Sequence, residues 1–129
     1  FVIAKLQRIL NQRGQCLKGV AILVLGITYK ADTGDHRQSP ATKIMKLLGK
    51  EGAQITYVDP YAPKHKIGEV EYSTKKLSPS LLADCHCALI LTAHSDFDYE
   101  MVAKHAPVVF DTRNGTRHVQ GEKPNIILL

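Results

Sequence analysis

The sequence contains no tryptophan and few other aromatics, three phenylalanines and five tyrosines, and these do not interleave with its basic residues. Lys75-Lys76 is the one place where two Lys or Arg residues adjoin. Single-stranded nucleic acid is bound by aromatic platforms along a basic groove, so no nucleic-acid partner is expected. The longest apolar run, Val20-Ala21-Ile22-Leu23-Val24-Leu25, is far short of the roughly 18 residues of a membrane span, and no membrane association is expected. An apolar core followed by small residues, as in a secretory leader, is missing behind Phe1. Cysteine is scarce and odd in number, at Cys16, Cys85 and Cys87, which favours reduced thiols and a cytoplasmic setting over a disulfide framework. Cys85-His86-Cys87 has no second ligand pair at a familiar spacing, whereas a metal site takes about four ligands, or three and a water. Cys87 opens the apolar run Cys87-Ala88-Leu89-Ile90-Leu91, where a thiol serves as a small core residue. No metal is expected.

What the chain does have is an ordinary apolar share of 44% in 129 residues, enough for one packed domain, and a net charge of +5 that suits an anionic ligand. Residues 1–13 place Val2, Ile3, Leu6, Ile9 and Leu10 at helical spacing. Such a helix has little to pack on by itself and is expected to continue from a preceding region. Strands are expected near residues 20–25, 55–58, 87–91 and 107–111, with a fifth at 126–128. The first is apolar without alternation, as in a sheet covered on both faces. Between them lie amphipathic segments. One opens at Ser39-Pro40 and carries Ala41, Ile44, Met45 and Leu48, with Ser39 as the expected N-cap. A short one starts at Ser78-Pro79, and another runs from about Asp96 to Lys104. Residues 61–77 are expected to be irregular. Strands alternating with helices predict an α/β fold, a Rossmann-like, doubly wound parallel sheet in three layers, preceded by the N-terminal helix.

Ligands of such sheets bind at the carboxyl ends of the strands. Those ends are rich in polar groups: Thr28-Tyr29-Lys30, Asp59-Pro60-Tyr61, Thr92-Ala93-His94 and Asp111-Thr112-Arg113-Asn114. The dinucleotide turn, Gly-x-Gly-x-x-Gly, is absent, since Gly26 is followed by Ile27, Thr28, Tyr29 and Lys30. Asp59 stands where a ribose-binding acid would, but before Pro60 it serves equally well to shape a turn. In place of the glycine turn is the loop Lys30-Ala31-Asp32-Thr33-Gly34-Asp35-His36-Arg37-Gln38-Ser39-Pro40. Lys30 and Arg37 suit phosphates, Arg through its planar fork and Lys as a point charge. A solvated loop with internal ion pairs is the plain alternative.

Leu25 to Lys30, Asp35-His36-Arg37-Gln38-Ser39-Pro40, Gly52-Ala53, Asp59-Pro60-Tyr61, Phe97-Asp98-Tyr99 and Phe110 to Asn114 together resemble the C-terminal domain of the UDP-glucose/GDP-mannose dehydrogenase family. The resemblance implies a UDP-sugar-binding domain over residues 14–129, and it makes residues 1–13 the end of a central linker helix that forms a homodimer interface. It implies that Lys30, with Tyr29 beside it, and Arg113 contact the nucleotide sugar, and that Arg37 reaches the NAD pyrophosphate. Gln38 departs from the family's usual Glu. The family oxidises a sugar C6 alcohol to a carboxylate in two steps, with two NAD and a covalent intermediate on a cysteine. Neither that cysteine's segment nor the NAD fingerprint has a counterpart here, so the resemblance implies a domain inert alone. Within the family it points first to UDP-N-acetylhexosamines, then to UDP-glucose. Two rivals remain. One is a non-enzymatic anion- or nucleotide-binding α/β module. The other is a receiver-type domain, which would need an acidic pair after the first strand.

Overall fold

A computed structural model describes residues 1–35 and 39–129. Strand β1 (Ala21–Leu25) lies inside a five-stranded sheet, flanked by β2 (Gln54–Val58) and β5 (Cys87–Ile90). Beyond β5 come β6 (Val109–Asp111) and β7 (Ile126–Leu128), giving the order β2-β1-β5-β6-β7 with every pairing parallel. The strand order reverses between β1 and β5, as in a doubly wound sheet.

The apolar β1 run explains the layers. Successive side chains of a strand face opposite ways. Ile22 and Val24 join one core with Leu6 and Leu10 of α1 (Val2–Gln12) and Met45 and Leu48 of α2 (Pro40–Lys50). Leu23 and Leu25 join the other with Leu82 of α3 (Pro79–Asp84) and Val102 of α4 (Tyr99–His105). All four β1 side chains are fully buried, each contributing about 1.5–3 kcal/mol by leaving water. The expected strands therefore all form, within a residue or two of their ends.

Four readings need correction. First, α1 does find a core to pack on within this chain, whether or not it continues from a preceding region. Leu6, Ile9 and Leu10 are buried, and Lys5 Nζ donates to the Leu128 carbonyl oxygen at 2.6 Å. Secondly, residues 61–77 are not irregular throughout, because β3 (Lys64–Ile67) and β4 (Val70–Ser73) form an antiparallel hairpin. Its inward His65 is 2.8 Å from Thr42 Oγ1 on α2, and Thr74 Oγ1 accepts from Asp59 N at 2.8 Å. The hairpin is thereby strapped to the end of β2. Thirdly, the helix expected from Asp96 begins at Tyr99. Asp98 caps it by accepting from Met101 N, while Asp96 accepts from the Tyr61 hydroxyl. Fourthly, Ser39 occupies the N-cap position of α2 without capping it: its hydroxyl donates to the Ile27 carbonyl oxygen. Ser78, by contrast, caps α3 as expected, accepting from Leu81 N.

Candidate functional site

The carboxyl edge of the sheet is organised by two buried aspartates. Asp111, at the end of β6, is 1% exposed. Its Oδ1 accepts from Arg113 N and Gly115 N, and its Oδ2 from Thr116 N and Thr116 Oγ1, at 2.6 to 3.1 Å. A carboxylate so bonded folds the chain back on itself, and Asn114 takes a left-handed φ of 58° within that turn. Arg113 is carried on its outside. Its Nε donates to the Leu91 carbonyl oxygen at 3.0 Å, and its Nη atoms have no hydrogen-bond partner among the described residues. The guanidinium fork is thus oriented by one edge and open on the other, as anion recognition requires.

Asp59, just beyond β2, does the same for the turn after β1. Its Oδ2 accepts from Ile27 N at 2.7 Å and lies 2.9 Å from His94 Nε2, and its Oδ1 accepts from Tyr61 N at 2.9 Å. Of the two readings of Asp59, the turn-shaping one describes its contacts. His94 is fully buried beneath the Tyr61 ring, with centroids 4.8 Å apart. The amide of Asp32 donates to His94 Nδ1 at 2.8 Å, which leaves the ring proton on Nε2, aimed at Asp59 and Thr28 Oγ1. The identity of Asp59 as a strand-end acid was legible in the sequence, but His94 as its partner was not.

This network also packs the turn after β1 against the segment after β5. Gly26, at φ 83°, lies so close to the Thr92 backbone that a Cβ there would collide with the Thr92 carbonyl oxygen. Thr92 Oγ1 donates to the Thr28 carbonyl oxygen at 2.7 Å. A glycine turn in a dinucleotide fold leaves room for a pyrophosphate at this place. Here that turn carries side chains instead, with Thr28 packed against Thr92 and His94.

The open space lies to one side. A cleft of about 230 Å³ is lined by Thr28, Leu91, Thr112 and Arg113, by the first turn of α2 at Pro40 and Ala41, and by Val2 of α1. Among the described residues the α2 N-terminus has no side-chain cap, and its positive end lies at the cleft. A shallower depression of about 420 Å³ on the other side of Arg113 is lined by Asp111, Asn114 and Leu129 as well. Tyr29, half exposed, and Lys30, exposed, sit on the turn beyond Thr28 and line neither space. Arg113 and Lys30 thus share the carboxyl edge of the sheet, on strands separated by β5, and no contact joins them. Arg37 lies outside the described residues.

The thiols are placed otherwise. Burial pushes Cys85 up to about 11 and Cys87 up to about 12, and their Sγ atoms bond separate carbonyls, those of Leu82 and Ala88. His86 between them accepts from Ala21 N at 2.9 Å. The three side chains point apart, and among the described residues no group of His, Cys, Asp and Glu is placed to hold a metal ion. Nor is any described helix long and apolar enough to cross a membrane.

Comparison with known proteins agrees with this geometry. Residues 23–118 match the family model described as UDP-glucose/GDP-mannose dehydrogenase family, UDP binding domain. Over 108 residues the chain is 32% identical to the UDP-glucose 6-dehydrogenase of Rickettsia conorii, covering 76% of this chain and 24% of that protein. Over 105 residues it is 30% identical to the UDP-N-acetyl-D-mannosamine dehydrogenase of Methanococcus maripaludis, covering 75% and 23%. The UDP-N-acetyl-mannosamine dehydrogenase structure from S. aureus superposes with a TM-score of 0.73 at 25% identity, covering 98% of this chain and 29% of that one. The chain therefore spans about a quarter of the length of the curated relatives it matches. With the match running from within β1 to beyond Arg113, the chain belongs to the UDP-glucose/GDP-mannose dehydrogenase family and carries its UDP binding domain.

Proposed function

We propose that this chain is the nucleotide-sugar-holding part of an NAD-dependent UDP-sugar 6-dehydrogenase, and that the oxidation itself takes place on another region of the enzyme. The observation that carries the reading is Arg113. Its guanidinium is fixed to the Leu91 carbonyl on one side and open on the other, beside an uncapped helix start. A diphosphate there would meet a planar cation and the positive end of α2 together. Lys30, with Tyr29 beside it, supplies a further charged contact from the turn after β1. The sugar is then held with its C6 directed away from this domain.

The chemistry needs a thiolate nucleophile in an accessible, electropositive place. Cys85 and Cys87 are buried with raised pKa values, which supports locating that thiolate elsewhere. The missing glycine turn after β1 supports a site for NAD on another part of the enzyme, with Arg37 reaching its pyrophosphate from this one. Residues 1–13 serve as the end of a linker helix at a homodimer interface, and residues 14–129 as the substrate domain, in a cytoplasmic enzyme. The substrate is a UDP-N-acetylhexosamine or UDP-glucose, as in the relatives named above. The test is to follow NADH absorbance with each UDP-sugar. The natural full-length enzyme should turn over at least one of them, and the 129-residue chain alone should turn over none. Turnover by the chain alone would refute the division of labour.

A further inference from the structure

Asp32 is held in a conformation that an L-residue rarely adopts, with φ 63°. Such a conformation persists where surrounding structure dictates it. Three bonds dictate it here. The Asp32 amide donates to His94 Nδ1, and its two carboxylate oxygens accept from Ser95 N and Ser95 Oγ, all at 2.8 Å. Ser95 and His94 belong to the segment after β5, so the turn after β1 is fastened to a different strand. His94 is in turn fixed by the buried Asp59.

What this fastening holds is Lys30. Its carbonyl oxygen accepts from Thr28 Oγ1 at 2.8 Å and Thr33 Oγ1 at 3.3 Å, and Thr28 Oγ1 is itself 3.2 Å from His94 Nε2. The backbone of Lys30 is therefore gripped from both sides, while its side chain is exposed with no hydrogen bond or ion pair among the described residues. Satisfying the buried His94 ring takes only the Asp32 amide; the two bonds to Ser95 go beyond it. The strained residue is exposed, and both Thr28 and Thr33 spend their hydroxyls on one carbonyl. Ordering a loop before the ligand arrives removes that cost from binding.

We infer that Asp32 and His94 are positioning residues, whose joint hold on the 28–33 turn presents Lys30 to the nucleotide diphosphate. The inference rests on the proposed role of Lys30 and extends it. In the natural full-length enzyme, UDP is titrated by calorimetry into wild type, Asp32→Ala, Asp32→Asn, Lys30→Ala and the Asp32→Ala/Lys30→Ala double variant. KM and kcat for the UDP-sugar and Tm are measured alongside. Asp32→Ala should weaken UDP binding roughly three- to tenfold, the scale of one or two positioning hydrogen bonds. KM should rise with kcat and Tm held, because binding is lost equally in ground and transition states. Asp32→Asn keeps an acceptor for Ser95 N and should recover most of the affinity. In the Lys30→Ala background, Asp32→Ala should change nothing further. His94→Asn keeps an acceptor near the Nδ1 position and should bind UDP better than His94→Gln. A normal UDP affinity in Asp32→Ala, with Lys30→Ala weakened, would overturn the positioning role alone. So would a loss that persists without Lys30. Unchanged affinity in Lys30→Ala would overturn both this inference and the role of Lys30 beneath it.

Discussion

His94 Nε2 stands 2.9 Å from Asp59 Oδ2, and neither side chain retains any exposure to solvent. Asp59 is also the acceptor for the amides of Ile27 and Tyr61. One carboxylate therefore joins the ends of β1, β2 and β5, and its loss strands several buried donors at once. Asp59→Ala should destabilise the protein by several kcal/mol, since it strands three buried donors at roughly 1–3 kcal/mol each. Urea unfolding followed by circular dichroism measures this, and a loss below about 1 kcal/mol would mean that water replaces the carboxylate freely.

The carboxylate of Asp32 is held below the usual range, first by the Ser95 amide and then by the Ser95 hydroxyl. A depressed folded pKa means that the tie is complete above the unfolded value of 3.8 and is lost as pH falls through the lower folded value. The bonds from Ser95 to this carboxylate should therefore be insensitive to pH near neutrality. A carbon-13 titration should place the Asp32 midpoint below 3.8 in wild type and move it upward in Ser95→Ala. A midpoint at or above the free value would remove the tie.

Cys85 and Cys87, pushed up to about 11 and about 12, should scarcely react with iodoacetamide at pH 8, while the exposed Cys16 is modified. The thiolate fractions are on the order of one in a thousand and one in ten thousand. Peptide mass mapping of the native protein reads the order directly. Alkylation of Cys85 as fast as Cys16 would show that the thiol is accessible after all.

The residues that carried the fold in the sequence were those whose environment is uniform along the chain. The β1 run is apolar on every position because both its faces are covered, so neither period nor register had to be inferred. The hairpin at Lys64–Ile67 and Val70–Ser73 was hidden for the opposite reason. It buries little more than His65 and Tyr72, and its strands read as polar loop. Gly68, at φ 60° at the head of a two-residue turn, was the signal available. The start of α4 was misplaced because two aspartates compete for the cap, and Tyr61, distant in sequence, decides between them by engaging Asp96. At the site, Lys30 and Arg113 were legible as charges at strand ends. His94 was not, because its function is to accept one amide and meet one carboxylate from elsewhere, and no spacing encodes that.

Arg37 is proposed to reach the NAD pyrophosphate, and that role has a separate kinetic signature. In the full-length enzyme Arg37→Ala should raise KM for NAD roughly tenfold or more, as loss of a charged hydrogen bond would, with a smaller change for the UDP-sugar. A change confined to the UDP-sugar would move Arg37 to the substrate side.

A UDP-sugar is proposed to lie along the carboxyl edge of this sheet, between the turn after β1 and the turn after β6. Calorimetry of a UDP-sugar binding to the full-length enzyme tests it most directly, with wild type, Lys30→Ala, Arg113→Ala and the double variant. Each single change should cost about 1.5–3 kcal/mol, roughly a tenfold to hundredfold loss of affinity, because each removes a hydrogen bond to a charged group. Two residues gripping one diphosphate should give a double variant whose loss differs from the sum of the single losses. Wild-type affinity in both single variants would contradict the account, leaving Lys30 and Arg113 as ordinary surface charges.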